Sequence, residues 1–482
     1  MTSNTPTPPS RCGIDRRTVL QAGAAAAMGG PLAGSAAQAQ APAVAGTASP
    51  HPTAAVRPAG WRNWSGLQQC QPSRRLAPAN EAELAQALRG APQDTTLRCV
   101  GAGHSFTPLV PTDGWLVSLD QLSGVVAGAQ SDLVQVQGGT RLAVLSRQLD
   151  ALGLALPNLP DVDVQSYAGA ISTATHGTGR TLPALHAQVQ ALRLVTARGE
   201  ILECSTTERP ELLAAARVSL GSLGVITQAQ VRVVPAYNLH RHVWLEPVQQ
   251  LLERADALSR KHRNFEFYYL PFTGYAAGIT HDMDDSGTVQ TVTAADEDML
   301  RDLRRLRDWL GVVPALRRKV AGWLIDETQT EDARNRAWKL LSTQRPTRFN
   351  ETEYHVPREA GVACVREVIA ALEKRNEVFF PLEFRFVAAD DAWLSPFYQR
   401  PSCSIAVHAA AEEAHGYLLT EIGPILRRHG GRPHWGKLHN LGATELAGLY
   451  PRFRDFQALR QELDPHGRFL NAHLRHVFGV SA

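Results

Sequence analysis

The run Tyr167-Ala168-Gly169-Ala170-Ile171-Ser172-Thr173-Ala174-Thr175-His176-Gly177-Thr178-Gly179 narrows what this chain can fold into more than any other stretch. Small residues and hydroxyls fill it, so it lacks the apolar volume for a large core and the preference for a strong helix. Backbone amides with little side chain over them can instead close on something flat and polar. A plain Gly/Ser/Thr surface loop is the simpler alternative. Such loops seldom carry an entry like Leu156-Pro157-Asn158-Leu159-Pro160-Asp161, or a histidine flanked by small residues.

A second glycine turn lies upstream. Thr96–Val100 reads as a buried strand, and Gly101-Ala102-Gly103-His104-Ser105-Phe106 follows it directly. Glycines there allow close backbone approach to a pyrophosphate. The third glycine of a Rossmann fingerprint is absent and no helix clearly opens behind the loop, which excludes that fold for this segment. Alone, a G-x-G-H turn fits a tight structural turn at least as well as a cofactor cradle.

Around these loops the pattern is that of an α+β protein with mixed sheets. Short β-rich runs at 114–119, 133–136, 190–196 and 224–234 alternate with helical spacing at 81–89 and 141–152. After Pro235 the character shifts, with helices expected over 246–261, 294–310 and 334–341 and strands over 265–270 and 383–387. This predicts a first domain over 61–237, a second over 238–430, and a terminal segment, 431–482, that completes the first.

The N-terminus reads differently. Asp15-Arg16-Arg17-Thr18-Val19-Leu20-Gln21 leads into Ala- and Gly-rich sequence ending near Ala37-Gln38-Ala39. That describes an export signal over 1–39, and the paired arginines point to the twin-arginine machinery and a periplasmic or secreted protein. Its apolar part is too short for a membrane span. Residues 40–60, rich in Ala, Pro and Gly, read as a linker. Cleavage removes Arg11, Cys12, Asp15, Arg16 and Arg17, leaving a nearly neutral chain with five scattered cysteines. Their odd number and spacing indicate neither a disulfide framework nor a metal site, although one bridge remains open to them. No basic run with interleaved aromatics speaks for nucleic acid.

Several motifs in fixed order resemble the FAD-linked oxidases of the vanillyl-alcohol-oxidase type, and among them the sugar-lactone and alditol oxidases. They are Asn63-Trp64-Ser65-Gly66, Gly101–Phe106, Thr112-Asp113-Gly114, Gly169–Gly179, Gly221-Ser222-Leu223-Gly224-Val225-Ile226, Glu383-Phe384-Arg385, Arg432-Pro433-His434-Trp435-Gly436-Lys437 and Arg468-Phe469-Leu470-Asn471. The resemblance covers essentially everything after the linker. It implies a PCMH-type FAD-binding fold with a substrate domain, and FAD as cofactor. His104 then bonds covalently to the flavin, or only hydrogen-bonds to it, as some relatives do; the covalent reading is favoured because the residue needed is present. Gly101, Ala102, Gly103 and Ser105 would cradle the pyrophosphate. Gly169, Ala170, Thr173 and Gly177 would line the isoalloxazine and ribityl side, and Ile226 would meet the adenosine through its backbone. His176 reads equally as a structural histidine or a cofactor contact.

Alcohol oxidation by a flavin needs a group to take the hydroxyl proton and positive charge to stabilise the reduced cofactor. Glu383 and Arg385, two apart on an expected strand, share one face. By themselves they fit a buried structural ion pair; the resemblance puts them at the substrate, Arg385 stabilising negative charge and Glu383 orienting hydroxyls. Lys437 would meet substrate hydroxyls and assist proton removal, and His434 would hold the flavin or pack on Trp435. His408 falls at the spacing of a substrate-pocket histidine in polyol-oxidising relatives. Two departures bear on this: Ala410 replaces a polar residue, and Ala174 stands where oxygen-reactive relatives have glycine, a methyl that can slow oxygen access. The expectation is oxidation of a CH–OH group on a small polyhydroxylated substrate by hydride transfer to flavin, with oxygen as acceptor and hydrogen peroxide as product. An exported dehydrogenase feeding a quinone or cytochrome is the alternative, and a binding protein without catalysis comes third.

Overall fold

The computed structural model describes residues 60–481 apart from 131, 292–295 and 344. The export signal expected over 1–39 and nearly all of the linker lie outside the described residues. Helix Glu81–Gly90 opens where the Asn80 side chain accepts from the Glu83 amide, carries Glu81 and Glu83 in its first turn, and buries Leu84, Ala85 and Leu88. It packs near a parallel sheet in which Trp115–Ser118 lies between Arg74–Leu76 and Leu97–Val100. An antiparallel five-stranded sheet stands beside it, in the order Ile201–Ser205, Val189–Val195, Val225–Arg232, Leu133–Gln137, Val125–Gln130. Helix Leu142–Ala151 buries Leu142, Leu145 and Leu149 in the core of this part of the molecule.

The run from Tyr167 is less loop-like than its composition suggests. Tyr167–Ser172 forms a short helix, and Tyr167, Ala170, Ile171 and Ala174 sit in the main core. Small side chains do not found that core. They let this segment lie flat against it.

The rest of the chain is dominated by one antiparallel sheet of eight strands. Its order is Thr330–Arg336, Asn238–Pro247, Tyr275–Met283, Asn264–Leu270, Leu382–Val387, Ser402–Ala410, Phe349–Pro357, Arg432–Pro433. Helices Val248–Lys261 and Gly361–Leu372 pack on it, and Asp296–Leu310 with Pro314–Leu324 forms a hairpin beyond. One expectation fails here. Residues 334–341 are not a single helix: Thr330–Arg336 is a strand and only Ala337–Leu341 is helical. Alternate burial of Glu331, Ala333 and Asn335 gives the strand its period of two, which outweighs the helix-favouring residues. The described cysteines are all free.

After Arg432–Pro433 the chain returns to the first sheets. Phe106 donates its amide to the Gly436 carbonyl at 2.7 Å, and Thr107 its hydroxyl to the Trp435 carbonyl at 2.8 Å. Three buried side chains fasten the loops behind the first glycine turn. Arg98 donates to the carbonyls of Leu109, Leu220, Gly221 and Phe469, Arg468 to Ala197 and Ala91, and Asn471 to Pro108 and Pro111. Each such group satisfies carbonyls that a loop otherwise leaves buried and unpaired.

Candidate active site

A long cleft runs between the glycine loops and one face of the eight-stranded sheet. Gly101, Ala102, Gly103, His104, Ser105, Gly169, Ala170, Thr173, Ile226 and His434 line it, as do Glu383, Arg385, His408 and Lys437. Thus all but one of the site residues expected from sequence converge. The exception is Gly177, which does not line the cleft: a Cβ there would collide with the Leu159 carbonyl, so this glycine serves loop-to-loop packing.

The first loop suits an anion. The amides of Ala102, Gly103, His104 and Ser105 donate to no backbone acceptor among the described residues. Gly103 sits at φ +69°, a conformation that glycine adopts without strain. A Cβ on Gly101 would meet the Ser166 hydroxyl, so the two glycine loops approach as closely as their backbones allow. Four free amides at the end of a strand, in a long cleft with a polar far wall, fit the pyrophosphate of FAD.

His104 stacks on Trp64, ring centroids 4.9 Å apart. Burial, with Lys437 and Arg141 adding repulsion, pushes its imidazole down to about 4. The ring is therefore neutral near pH 7, with a nitrogen lone pair available as a nucleophile.

The far wall follows from strand register. Residues paired across an antiparallel sheet point to the same side. Tyr268 pairs with Glu383, which pairs with Ala406; Glu266 pairs with Arg385, which pairs with Ser404; Ala406, Ser404 and His408 pair with Glu353, His355 and Glu351. One face therefore carries acid, base and hydroxyl groups in rows. Glu383 and Arg385 do share a face, in contact, and they belong to a larger cluster. Arg385 also donates to Asp161 at 2.5 Å and to Glu266 at 3.1 Å; the Tyr268 hydroxyl lies between Asp161, at 2.8 Å, and Glu383, within hydrogen-bond distance of both; Arg345 donates to Asp161 at 3.0 Å. Three carboxyls here face two guanidiniums. Burial raises Glu383 well above the usual carboxylate range and Glu266 to about 7, whereas Arg385 and Arg345 overcome burial at Asp161 and hold it well below. Glu383 therefore keeps its proton beside an ionised Asp161.

Lys437 donates to Glu351, and His408 Nε2 lies 3.7 Å from the same carboxylate. His408 Nδ1 is 3.1 Å from the Pro381 carbonyl, which can only accept, so the proton belongs on Nδ1 and Nε2 keeps its lone pair. Burial lowers the basicity of His408. Lys437 is consequently placed as a donor, and His408 as the group with a free basic nitrogen. His434 accepts the Gly436 amide at Nδ1 (3.0 Å), next to His176, His355 and Glu353 rather than against Trp435. His176 lines the cleft, with Nδ1 2.9 Å from the Gly177 carbonyl and Nε2 2.9 Å from Glu353. Ala174 corrects an expectation. At φ +62° its methyl is buried in the core, and the residue does not line the cleft. Ala410 lies in an apolar cluster with Leu270 and Phe380.

Over residues 229–477 the chain matches the family model for D-arabinono-1,4-lactone oxidase. The chain belongs to this family. Residues 72–205 match an FAD binding domain, the region that contains both glycine loops. Among relatives, an L-gulono-1,4-lactone dehydrogenase of Mycobacterium tuberculosis is 39% identical over 87% of this chain and 99% of its own length. An L-gulonolactone oxidase of Bos taurus is 31% identical over 87% of this chain and 98% of its own. An alditol oxidase of a Streptomyces species is 30% identical, with 86% and 97% covered. Cholesterol oxidase from B. sterolicum shares the fold, with a TM-score of 0.70 over 87% of this chain and 96% of that one at 15% identity. This family member is an FAD-dependent oxidoreductase acting on CH–OH donors.

Asp161, Glu266, Tyr268, Arg345, Glu351 and Glu353 were not singled out from sequence. For Glu266, Tyr268, Glu351 and Glu353 the signal is period-two polarity within strands of high apolar content, as in Glu266-Phe267-Tyr268 and Glu351-Thr352-Glu353-Tyr354-His355; Asp161 and Arg345 lie outside the strands and carry none. Alternation of that kind ordinarily marks a face in water; here it marks a wall of the site.

Proposed function

We propose that this protein oxidises a hydroxyl-bearing carbon of a sugar lactone or alditol at the polar wall of the cleft. The observation that carries the reading is the row Tyr268, Glu383, Arg385, His408 and Lys437 facing the glycine loops across one cavity. Bound FAD supplies the hydride acceptor. Gly101, Ala102, Gly103 and Ser105 hold its pyrophosphate, and Gly169, Ala170, Thr173 and Ile226 flank the remainder. His408 Nε2 takes the hydroxyl proton while Lys437, anchored on Glu351, donates to the substrate oxygen. Arg385 stabilises negative charge in the transition state, and the protonated Glu383 donates to a neighbouring hydroxyl.

His104 links covalently to the flavin in this reading, supported by its neutral, buried ring at the head of the cleft. Oxygen is the acceptor, giving hydrogen peroxide. The 39% identity to a lactone dehydrogenase favours a second reading, in which a quinone or cytochrome takes the electrons. The Arg16–Arg17 leader supports export by the twin-arginine machinery to the periplasm or beyond, after the cofactor has been loaded. Among the described residues no helix is long and apolar enough to cross a membrane.

Turnover of L-gulono-1,4-lactone, D-arabinono-1,4-lactone and xylitol, followed by peroxide release under air and by dye reduction without air, tests both acceptors. Peroxide release matching dye-coupled turnover supports oxygen. Dye reduction without peroxide supports the dehydrogenase reading, and silence in both assays contradicts the substrate class.

A further inference from the structure

The motif Asn63-Trp64-Ser65-Gly66 forms the turn of a small hairpin between strands Trp61–Arg62 and Gln69–Cys70, and the hairpin lies against the glycine turn that carries His104. It holds three carbonyls of that turn. The Trp64 amide donates to Gly103 at 2.8 Å, Asn63 Nδ2 to Ser105 at 3.0 Å, and Gln68 Nε2 to Phe106 at 2.9 Å. A Cβ on Gly103 would come within 3.3 Å of the Trp61 ring, so the two turns close on each other because glycine stands there.

The His104 side chain is held in another way. Among the described residues its ring nitrogens have no hydrogen-bond partner, and its ring stacks on Trp64 with centroids 4.9 Å apart and planes 22° from parallel. A buried structural histidine ordinarily uses its nitrogens, as His176 does on Glu353 and His186 on Asp390. Stacking instead fixes the plane of the ring and leaves both nitrogens unengaged. Trp64 is itself held edge-on, by Phe106 at 6.4 Å and by Phe349 at 5.1 Å. Phe349 opens the strand Phe349–Pro357, so the indole is wedged between the glycine turn and the large sheet.

We propose that Trp64 is a positioning residue for the covalent link: its indole face fixes the His104 imidazole in the orientation from which it bonds to the flavin. The inference rests on the reading of His104 as the covalent anchor. In that step an imidazole nitrogen joins the carbon of a methyl group on the flavin's benzenoid ring. One C–H bond of the methyl and the imidazole N–H bond break. Both protons and the electron pair of the C–H bond end on the flavin, which is left reduced until the electron acceptor of turnover, oxygen or a quinone, reoxidises it. The rate of such a step within one complex depends on how closely the nitrogen is held to the carbon.

The full-length protein and its Trp64→Leu, Trp64→Phe and Phe349→Leu variants, produced in flavin-limited cells and then given FAD under air, provide the test. Melting temperature reports folding, total flavin absorbance reports binding, and flavin in the acid-precipitated pellet reports attachment over time. Trp64→Leu should bind FAD, since the amides of the turn are backbone groups, yet attach it at least about tenfold more slowly. Trp64→Phe keeps a stacking face and should recover most of the rate. Phe349→Leu loosens the indole from the far side and should slow attachment less than Trp64→Leu does. A leucine variant that folds, binds FAD and attaches it as fast as the unaltered protein overturns the inference, because Trp64 then only packs. No attached flavin in the unaltered protein contradicts the covalent reading itself, and the inference falls with it.

Discussion

A histidine attaches to carbon through a nitrogen lone pair, so the charge state of His104 decides whether it can hold a flavin covalently. With its imidazole pushed down to about 4 by burial, the ring is neutral throughout the physiological range. His104→Ala should leave FAD bound but extractable: after acid precipitation the colour moves to the supernatant, whereas the unaltered protein keeps it in the pellet. At Glu383 the same reasoning points the other way. A carboxyl that keeps its proton is mimicked by an amide, so Glu383→Gln should retain kcat/KM to within about tenfold. Arg385→Met removes a charge that no neighbour replaces and should lower kcat/KM roughly 100- to 1000-fold. A loss of equal size in both variants would show that Glu383 acts as a carboxylate. For His408, protonation of Nε2 at low pH removes the base. His408→Asn should therefore lower kcat about 100- to 10,000-fold and flatten the acid limb of the pH profile.

The elements that place these groups were legible to different degrees. Leu382–Val387 was readable as a strand because Phe384, Phe386 and Val387 are β-formers, and a two-residue spacing puts Glu383 and Arg385 on one side. Its partners were not readable as site elements. Glu351, Glu353 and His355 alternate as a solvent-facing strand would, and only pairing with Ser402–Ala410 turns that face inward. Residues 334–336, the end of strand Thr330–Arg336, were misread for a related reason: the arginines favour a helix locally, while a register of seven residue pairs against Asn238–Pro247 decides the outcome. Glu353 shows what the inward face costs. It accepts from Ser404 at 2.5 Å and lies 2.9 Å from His176, both buried. Glu353→Leu leaves those partners stranded and should reduce stability by about 3 kcal/mol in chemical denaturation.

Across the whole molecule, buried histidines set the response to acid. Burial holds His104 and His473 at about 4, and His281, His434 and His439 at about 3. Each has an ordinary value of 6.5 when unfolded, so below that pH the unfolded chain binds protons that the folded one refuses. Stability is therefore complete above pH 6.5 and falls progressively as pH drops toward 4 and 3. Glu266, raised to about 7, opposes this: it favours the folded state below about 4.5 and loses that contribution as pH rises to 7. Glu383 is raised in the same way, while His355 and His408 are lowered with the other five histidines, so the histidines prevail and the melting temperature should drop between pH 7 and 5. At this scale the α+β class and the identity of the cofactor were readable from the order of short motifs. The eight-stranded sheet was not, since its pairings join residues far apart in sequence, such as Tyr268 with Glu383.

The central claim is that a lactone or alditol delivers its electrons to FAD in the cleft between the glycine loops and the Glu383–Arg385 wall. Anaerobic titration of the purified yellow protein with aldonolactones and alditols, read at the flavin absorbance band, tests it most directly. The account predicts bleaching by at least one such substrate, slowed roughly 100-fold or more in Arg385→Met. A flavin that stays oxidised with every lactone and alditol, or an Arg385→Met protein that bleaches at the unaltered rate, would contradict it.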